Sequence, residues 1–224
     1  MSDAGPVAFE FLDVPDDHFA EHEEVFGELA AEVRRLVELT IRSEADPADV
    51  RAVTAQLRAA NDILGEQVRP GPAGVSFNAT GRSWNWGNAV VGERNAIAPP
   101  LVIEHPRPGE ARAEVHLGAA YEGPPGMVHG GVSALLLDHL MGETASNGFT
   151  RVTMTGTLTL RYVAPLPLGD LVLAARIAED DGRKVTVVAS IGSAEQVAVE
   201  ATGLFIVPSW AARPDAGAAA RSLP

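Results

Sequence analysis

The first half of the chain opens on a helical period. From Asp16 to about Ser43, residues Phe19, Phe26, Leu29, Val33, Leu36, Val37, Thr40 and Ile41 recur at steps of three and four, the spacing of one face of an amphipathic helix. Asp16 and Asp17 are placed to supply its N-cap. A second helix is predicted from Asp46-Pro47-Ala48-Asp49 to about Leu64-Gly65. Asp46 can cap it, Pro47 suits the first helical position, and Asp49 sits at the positive end of the helix dipole. Arg69 to Asn88 is rich in Gly, Pro and Asn and reads as a linker or long irregular loop.

Past that segment the pattern changes. Pro100 to Glu104 and Ala111 to Ala120 are extended runs joined by a turn at Pro106-Arg107-Pro108-Gly109, a hairpin signature. After Gly123-Pro124-Pro125-Gly126 comes one strongly apolar helical segment, Val128 to about Ser146. Four strands are then expected as a meander: Val152 to Val163, Leu171 to Glu179, Val185 to Ile191 and Val197 to Ile206. A helix apolar on most sides, set among five or six antiparallel strands, must be wrapped by the sheet, so the expected class is α+β with a two-helix N-terminal extension. The expected division is an acidic helical extension over 1–70, an irregular linker over 71–97, the main domain over 98–208 and a frayed tail over 209–224.

Composition narrows the function classes. With 224 residues, 46% hydrophobic and 21% charged, the chain can bury a sizeable core. It has no cysteine, which excludes disulfides, thiolate metal sites and a cysteine nucleophile. No apolar run approaches the roughly 18 residues of a membrane span. The start, MSDAGPVAFEFLDVPDD, lacks the basic flank and apolar stretch of a secretory leader, so a cytoplasmic location is expected. A net charge of −13 argues against nucleic acid or an anionic membrane as partner. The acidity is segregated: residues 1–66 hold 16 acids against 5 arginines, and the remainder is close to neutral.

The candidate chemistry lies on the apolar helix. Asp138 stands within Leu135-Leu136-Leu137-Asp138-His139-Leu140-Met141, and a carboxylate buried among leucines must be paired or put to use. A bland alternative is that it lies on a solvent stripe or bonds a neighbouring strand. At the other end of the helix, His129-Gly130-Gly131 follows a Pro-Pro-Gly turn. Glycines there let a ligand approach the backbone, and the free amides of the first turn, helped by the dipole, suit a developing negative charge. That is the physics of an oxyanion hole. His129 can bond a substrate carbonyl or fix the turn. Asp138 lies nine residues beyond His129, about 13.5 Å along the axis, too far for both helix ends to serve one reacting carbon. If both act on it, they come from two copies of the chain, which predicts a dimer with two such helices side by side and antiparallel.

Tyr121-Glu122-Gly123-Pro124-Pro125-Gly126-Met127-Val128-His129-Gly130-Gly131, Asp138, the strand Thr153 to Tyr162 ending in Pro165-Leu166-Pro167-Leu168-Gly169, and Asp181-Gly182-Arg183-Lys184 together resemble the hot-dog-fold acyl-CoA thioesterases. The likeness is to the phenylacetyl-CoA-thioesterase-like branch, which includes the mitochondrial carboxyl-terminal modulator protein, over about residues 98–208. The resemblance implies hydrolysis of an acyl-CoA to free acid and coenzyme A. It implies that the Gly130 amide polarises the thioester carbonyl and that Asp138 of the partner subunit acts as nucleophile or general base. Thr155 would support that aspartate or orient water, and His129 would order the oxyanion turn. One position departs from some relatives, which carry Asn where this chain has Gly123. A dimer or dimer of dimers is expected, with no metal and no cofactor beyond the coenzyme A of the substrate.

Substrate contacts are less legible. Coenzyme A is anionic, and Arg161, Arg183 and Lys184 lie in or beside the matching region, with Gly131 beside the carbonyl site; solvated surface charge is the other reading of the three cations. Val132, Leu135, Leu136 and Met141 suit an acyl tunnel or ordinary core. Trp84 and Trp86 suit a lid or a loop anchor. His18-Phe19-Ala20-Glu21-His22 matches an H-x-x-E-H pattern but is set aside as a solvated helix face. Two other functions stand beside the first: a non-catalytic acyl-CoA-binding or regulatory protein, and a thioesterase acting on carrier-protein-bound acyl groups.

Overall fold

The computed structural model describes residues 9–80, 82–148 and 150–209, and the tail expected over 209–224 lies outside them from residue 210 on. Its elements in order are β1 (Phe9–Phe11), α1 (Ala20–Arg42), α2 (Pro47–Gly65), β2 (Val75–Phe77), β3 (Ser83–Trp84), β4 (Val102–Glu104), β5 (Glu110–Leu117), a 3₁₀ turn (Ala119–Tyr121), α3 (Gly130–Ser146), β6 (Met154–Tyr162), β7 (Gly169–Asp180), β8 (Lys184–Gly192) and β9 (Val197–Ile206).

Six antiparallel strands in the order β4-β5-β7-β8-β9-β6 form one sheet that packs on α3. The expected α+β architecture, a sheet around one central helix with two helices ahead of it, is what the chain adopts. Alternation explains the packing. On β5, Ala111, Ala113, Val115 and Leu117 point inward while their neighbours face out, and Leu171 and Leu173 of β7, Val185 and Val187 of β8 and Phe205 of β9 do the same. Against them α3 presents Leu136, Leu137, Leu140, Met141 and Ala145, all fully buried. Met141 and Leu136 are therefore core. The helix ends at Asn147, whose left-handed φ of 51° closes the last turn, and its side-chain oxygen accepts from the Gly109 amide of the β4–β5 turn at 2.8 Å.

The meander is corrected. Of those four strands only β7, β8 and β9 are sequential neighbours, while β6 crosses to the far edge and pairs with β9. The connection over 163–168 cannot close a hairpin because it is paired elsewhere: Leu166 O accepts from Val128 N at 2.8 Å, and Leu168 N donates to Gly126 O at 3.0 Å. Six residues reach at most about 20 Å, enough for the three strand spacings of about 14 Å between β6 and β7.

The N-terminal part departs from expectation in two further ways. Asp16 and Asp17 do not cap α1, which starts at Ala20 after Phe19 with no side-chain cap bond. The Asp16 carboxylate instead accepts from Asn78 Nδ2 at 2.7 Å and from the Thr80 hydroxyl, and these two bonds hold its pKa below the ordinary carboxylate value. The stretch expected as irregular contains β2 and β3, which form a three-stranded sheet with β1. Asn78, fully buried, knits that sheet by also accepting the amides of Thr80 and Arg82. α2 forms as predicted, with Asp46 accepting from the Ala48 amide at 2.8 Å, yet none of its residues is buried.

Candidate active site

α3 carries both candidate ends. Its N-cap is His129, whose Nδ1 accepts the Gly131 amide at 3.0 Å. That bond requires Nδ1 to be unprotonated and uses the Gly131 N–H. Val132 and Ser133 donate to His129 O, so of the first-turn amides Gly130 N–H is the one without an acceptor among the described residues. Gly130 also has little room for a side chain. A Cβ there would meet the Tyr162 hydroxyl at 3.2 Å, and this hydroxyl donates to Gly130 O at 2.8 Å. Tyr162 thus fixes the peptide that follows the free amide, the one whose N–H the His129 ring already holds; nothing in its spacing from the helix singles it out beforehand. The turn ahead is closed by Gly123 N to Met127 O and by Gly126 N to Glu122 Oε1. At Gly123 a Cβ would fall 2.7 Å from His129 Cα, so this turn does not admit the Asn that some relatives carry without moving the cap.

Two turns along, Asp138 is half buried on a stripe of α3 that the sheet does not cover, in line with Gly131 and with Leu135, which is 43% exposed. The Thr155 hydroxyl donates to Asp138 Oδ1 at 2.9 Å. The strand bond and the open stripe of the bland alternative are therefore both present, and both leave the carboxylate facing outward. Tyr162, 57% exposed, lies beside the first turn of this stripe on β6, a strand that also exposes Met154 at 42% and whose outer edge has no strand partner among the described residues. Next to Asp138, His139 lies 3.8 Å from Glu143 Oε2, while His105 Nε2 reaches Glu143 Oε1 at 2.8 Å. Burial pushes the His139 pKa below the ordinary histidine value, against the pull of Glu143 and Asp138.

The cations are not gathered in one chain. Lys184 is in register with Ile206, itself opposite Met154, so it stands at the Thr155 end of the sheet. Arg161 is at the other end of β6, exposed and 3.7 Å from Glu200. Arg183 is exposed in the β7–β8 turn, where its amide donates to Asp181. Trp84 and Trp86 are buried, at 2% and 8% exposure, against Phe19 ahead of α1, so they anchor their loop on α1 and form no lid. His18 precedes the helix and His22 stacks on Phe26, so the two do not share a helical face.

A family profile described as thioesterase superfamily matches residues 125–199. A crystal structure of a thioesterase superfamily protein is 35% identical and superposes over 81% of this chain and 94% of its own, with a TM-score of 0.71. The chain belongs to the thioesterase superfamily. Residues 98–208 are only about half of the chain, so this superfamily likeness extends into the N-terminal elements. Among curated superfamily relatives, acyl-coenzyme A thioesterase THEM4 of Xenopus laevis is 39% identical over 92 residues, 40% of this chain and 41% of that protein. THEM4 of Mus musculus is 38% identical over 93 residues, 40% and 39% of the two chains. The match thus spans about two fifths of those relatives. All the candidate residues from His129 to Lys184 fall inside the superfamily profile, whereas α1 and α2 fall outside it.

Proposed function

We propose that this thioesterase superfamily protein hydrolyses an acyl-CoA thioester to the free acid and coenzyme A, in a site completed by two copies of the chain. The observation that carries this reading is an outward-facing carboxylate, Asp138, held by Thr155 on the open stripe of the same helix whose first amide, Gly130 N–H, is left unpaired among the described residues. The acyl-coenzyme A thioesterase name of the curated relatives supports the substrate class. In the reaction the Gly130 amide, aided by the α3 dipole, stabilises the charge developing on the thioester oxygen. Asp138 either takes a proton from a water attacking the carbonyl carbon or attacks that carbon itself, forming an anhydride that water then cleaves. The alkyl thiolate of coenzyme A departs without strong acid help, so the reading calls for no metal or further cofactor. The expected setting is the cytoplasm.

Within one chain, the eight residues from Gly130 to Asp138 place them about 12 Å apart along α3. Pairing two copies through the open edge of β6 would bury Leu135, Met154 and Tyr162 and bring one copy's Asp138 toward the other's Gly130, which supports the shared site. Lys184 and Arg161, at opposite ends of one chain's sheet, would by the same two-fold be brought toward each other to meet coenzyme A phosphates. The test is thiol release from short, medium, long and aromatic acyl-CoA esters by the wild type and Asp138→Ala. A fall in kcat of about 10³-fold with the fold intact is expected of a lost base or nucleophile. Full turnover in the variant overturns the mechanism, and binding of esters without turnover by the wild type moves the protein to the non-catalytic class.

A further inference from the structure

We infer that α1, an element outside the superfamily profile, braces the oxyanion turn, and that Glu38 is the positioning residue through which it does so; the inference rests on the proposed role of Gly130. Glu38 Oε2 accepts the Ala119 amide at 2.8 Å across 81 residues of sequence, while its Oε1 is held by Arg42 at 3.0 Å one helical turn on. The contact is built closely. A Cβ on Gly118 would lie 2.7 Å from Glu38 Oε2, and Gly118 has an ordinary φ of −91°, so close approach of the carboxylate, not backbone conformation, accounts for a glycine there. Ala119 opens the 3₁₀ turn that ends at Tyr121, and Tyr121 O accepts the His129 amide at 2.9 Å. His129 then caps α3 one residue ahead of the free Gly130 N–H. Glu38 is therefore linked to the oxyanion amide by a short run of hydrogen-bonded backbone.

A second strut runs in parallel. Arg34, one turn earlier on α1, donates to the carbonyls of Ala98, Glu93 and Asn95, and within the loop so held Ile97 O accepts the Tyr121 hydroxyl at 3.1 Å. The opposite side of the turn is held by Leu166 and Leu168. An oxyanion donor is effective because it is fixed before charge develops, so slack in this frame lowers the rate more than it weakens ground-state binding. The acidic extension thereby acquires a role in the chemistry while touching no substrate.

The experiment uses the full chain with Glu38→Ala, Glu38→Gln, Gly118→Ala and, as an α1 surface control, Glu32→Ala. Two quantities are read: kcat and KM for acyl-CoA hydrolysis, and amide hydrogen exchange at residues 118–131. Glu38→Ala is expected to lower kcat about tenfold with KM within about twofold, and to speed exchange at the bonded amides of Ala119 and His129. Glu38→Gln keeps an oxygen for the Ala119 amide and is expected to recover kcat to within about twofold, since the exposed Arg42 pair contributes little. Gly118→Ala, which displaces the carboxylate without altering α1, is expected to reproduce Glu38→Ala and decides the matter if Glu38→Ala does not fold. Unchanged exchange in Glu38→Ala, faster exchange with unchanged kcat, or an equal loss in Glu38→Gln or Glu32→Ala overturns the brace. If the wild type turns over no acyl-CoA ester, the proposed activity fails while the exchange pattern still decides the brace.

Discussion

At Thr155, one hydroxyl decides how a carboxylate on an open helix stripe is aimed. Its bond to Asp138 Oδ1 leaves the other oxygen free for water or substrate. Thr155→Val, which keeps the shape and removes the donor, is expected to lower kcat about tenfold with little change in KM, as steady-state kinetics would show. His139 makes a prediction of a different kind. Its pKa in the folded chain is lowered by burial, so between that value and the ordinary 6.5 the unfolded chain binds the extra proton and the native one does not. Its contribution to stability is thus complete above about pH 6.5 and is lost as pH falls toward the lowered value. Thermal melts from pH 8 to 5 should show wild type losing more stability than His139→Gln, and parallel profiles would refute this. Asp138 was legible in the sequence because a carboxylate among leucines is conspicuous. Tyr162 and Glu38 were not, since their partners are backbone groups 32 and 81 residues away and no local pattern encodes such a meeting.

Among the elements, α3 and α2 show that the same local signals serve different ends. Both were predicted within a few residues, from apolar run length for one and from the Asp46-Pro47 start for the other. α3 is held by the sheet, whereas α2 buries nothing, so its persistence depends on its cap and its intrinsic propensity. Asp46→Ala should therefore weaken α2 by about 1 kcal/mol locally, seen as faster amide exchange over residues 48–65, while the global melting temperature stays unchanged. A large drop in that temperature would mean α2 is packed in solution. The linker reading of 69–88 missed β2 and β3 because strands of three and two residues carry too little alternation to register. Asn78 ties them down: its side chain bonds Thr80 and Arg82 in its own turn and Val14 and Asp16, which only folding brings to it.

For the whole molecule, the proposed shared site means that one copy would hold two halves of two different sites. Asp138→Ala and Gly130→Pro should each be inactive alone; proline is tolerated at the first helical position yet removes the N–H, and its ring displaces the exposed Tyr162 side chain by a few tenths of an ångström. Random exchange makes half of the dimers mixed, each with one intact site of two, so a mixture should regain about one quarter of wild-type specific activity. No recovery after verified subunit exchange would overturn the shared site. The sequence alone determined the elements whose periods are long, the apolar central helix that requires a wrapping sheet, and the placing of His-Gly-Gly and Asp138 on that helix, because each is encoded in residues near one another along the chain. Tertiary structure alone decided that β6 lies at the far edge beside β9, that Tyr162 of that strand secures the first turn of α3, and that Glu38 reaches the turn before it. Strand order and long-range hydrogen bonds depend on which surfaces meet when the core closes, and hydrophobic periodicity specifies which faces are buried without specifying which neighbour buries them.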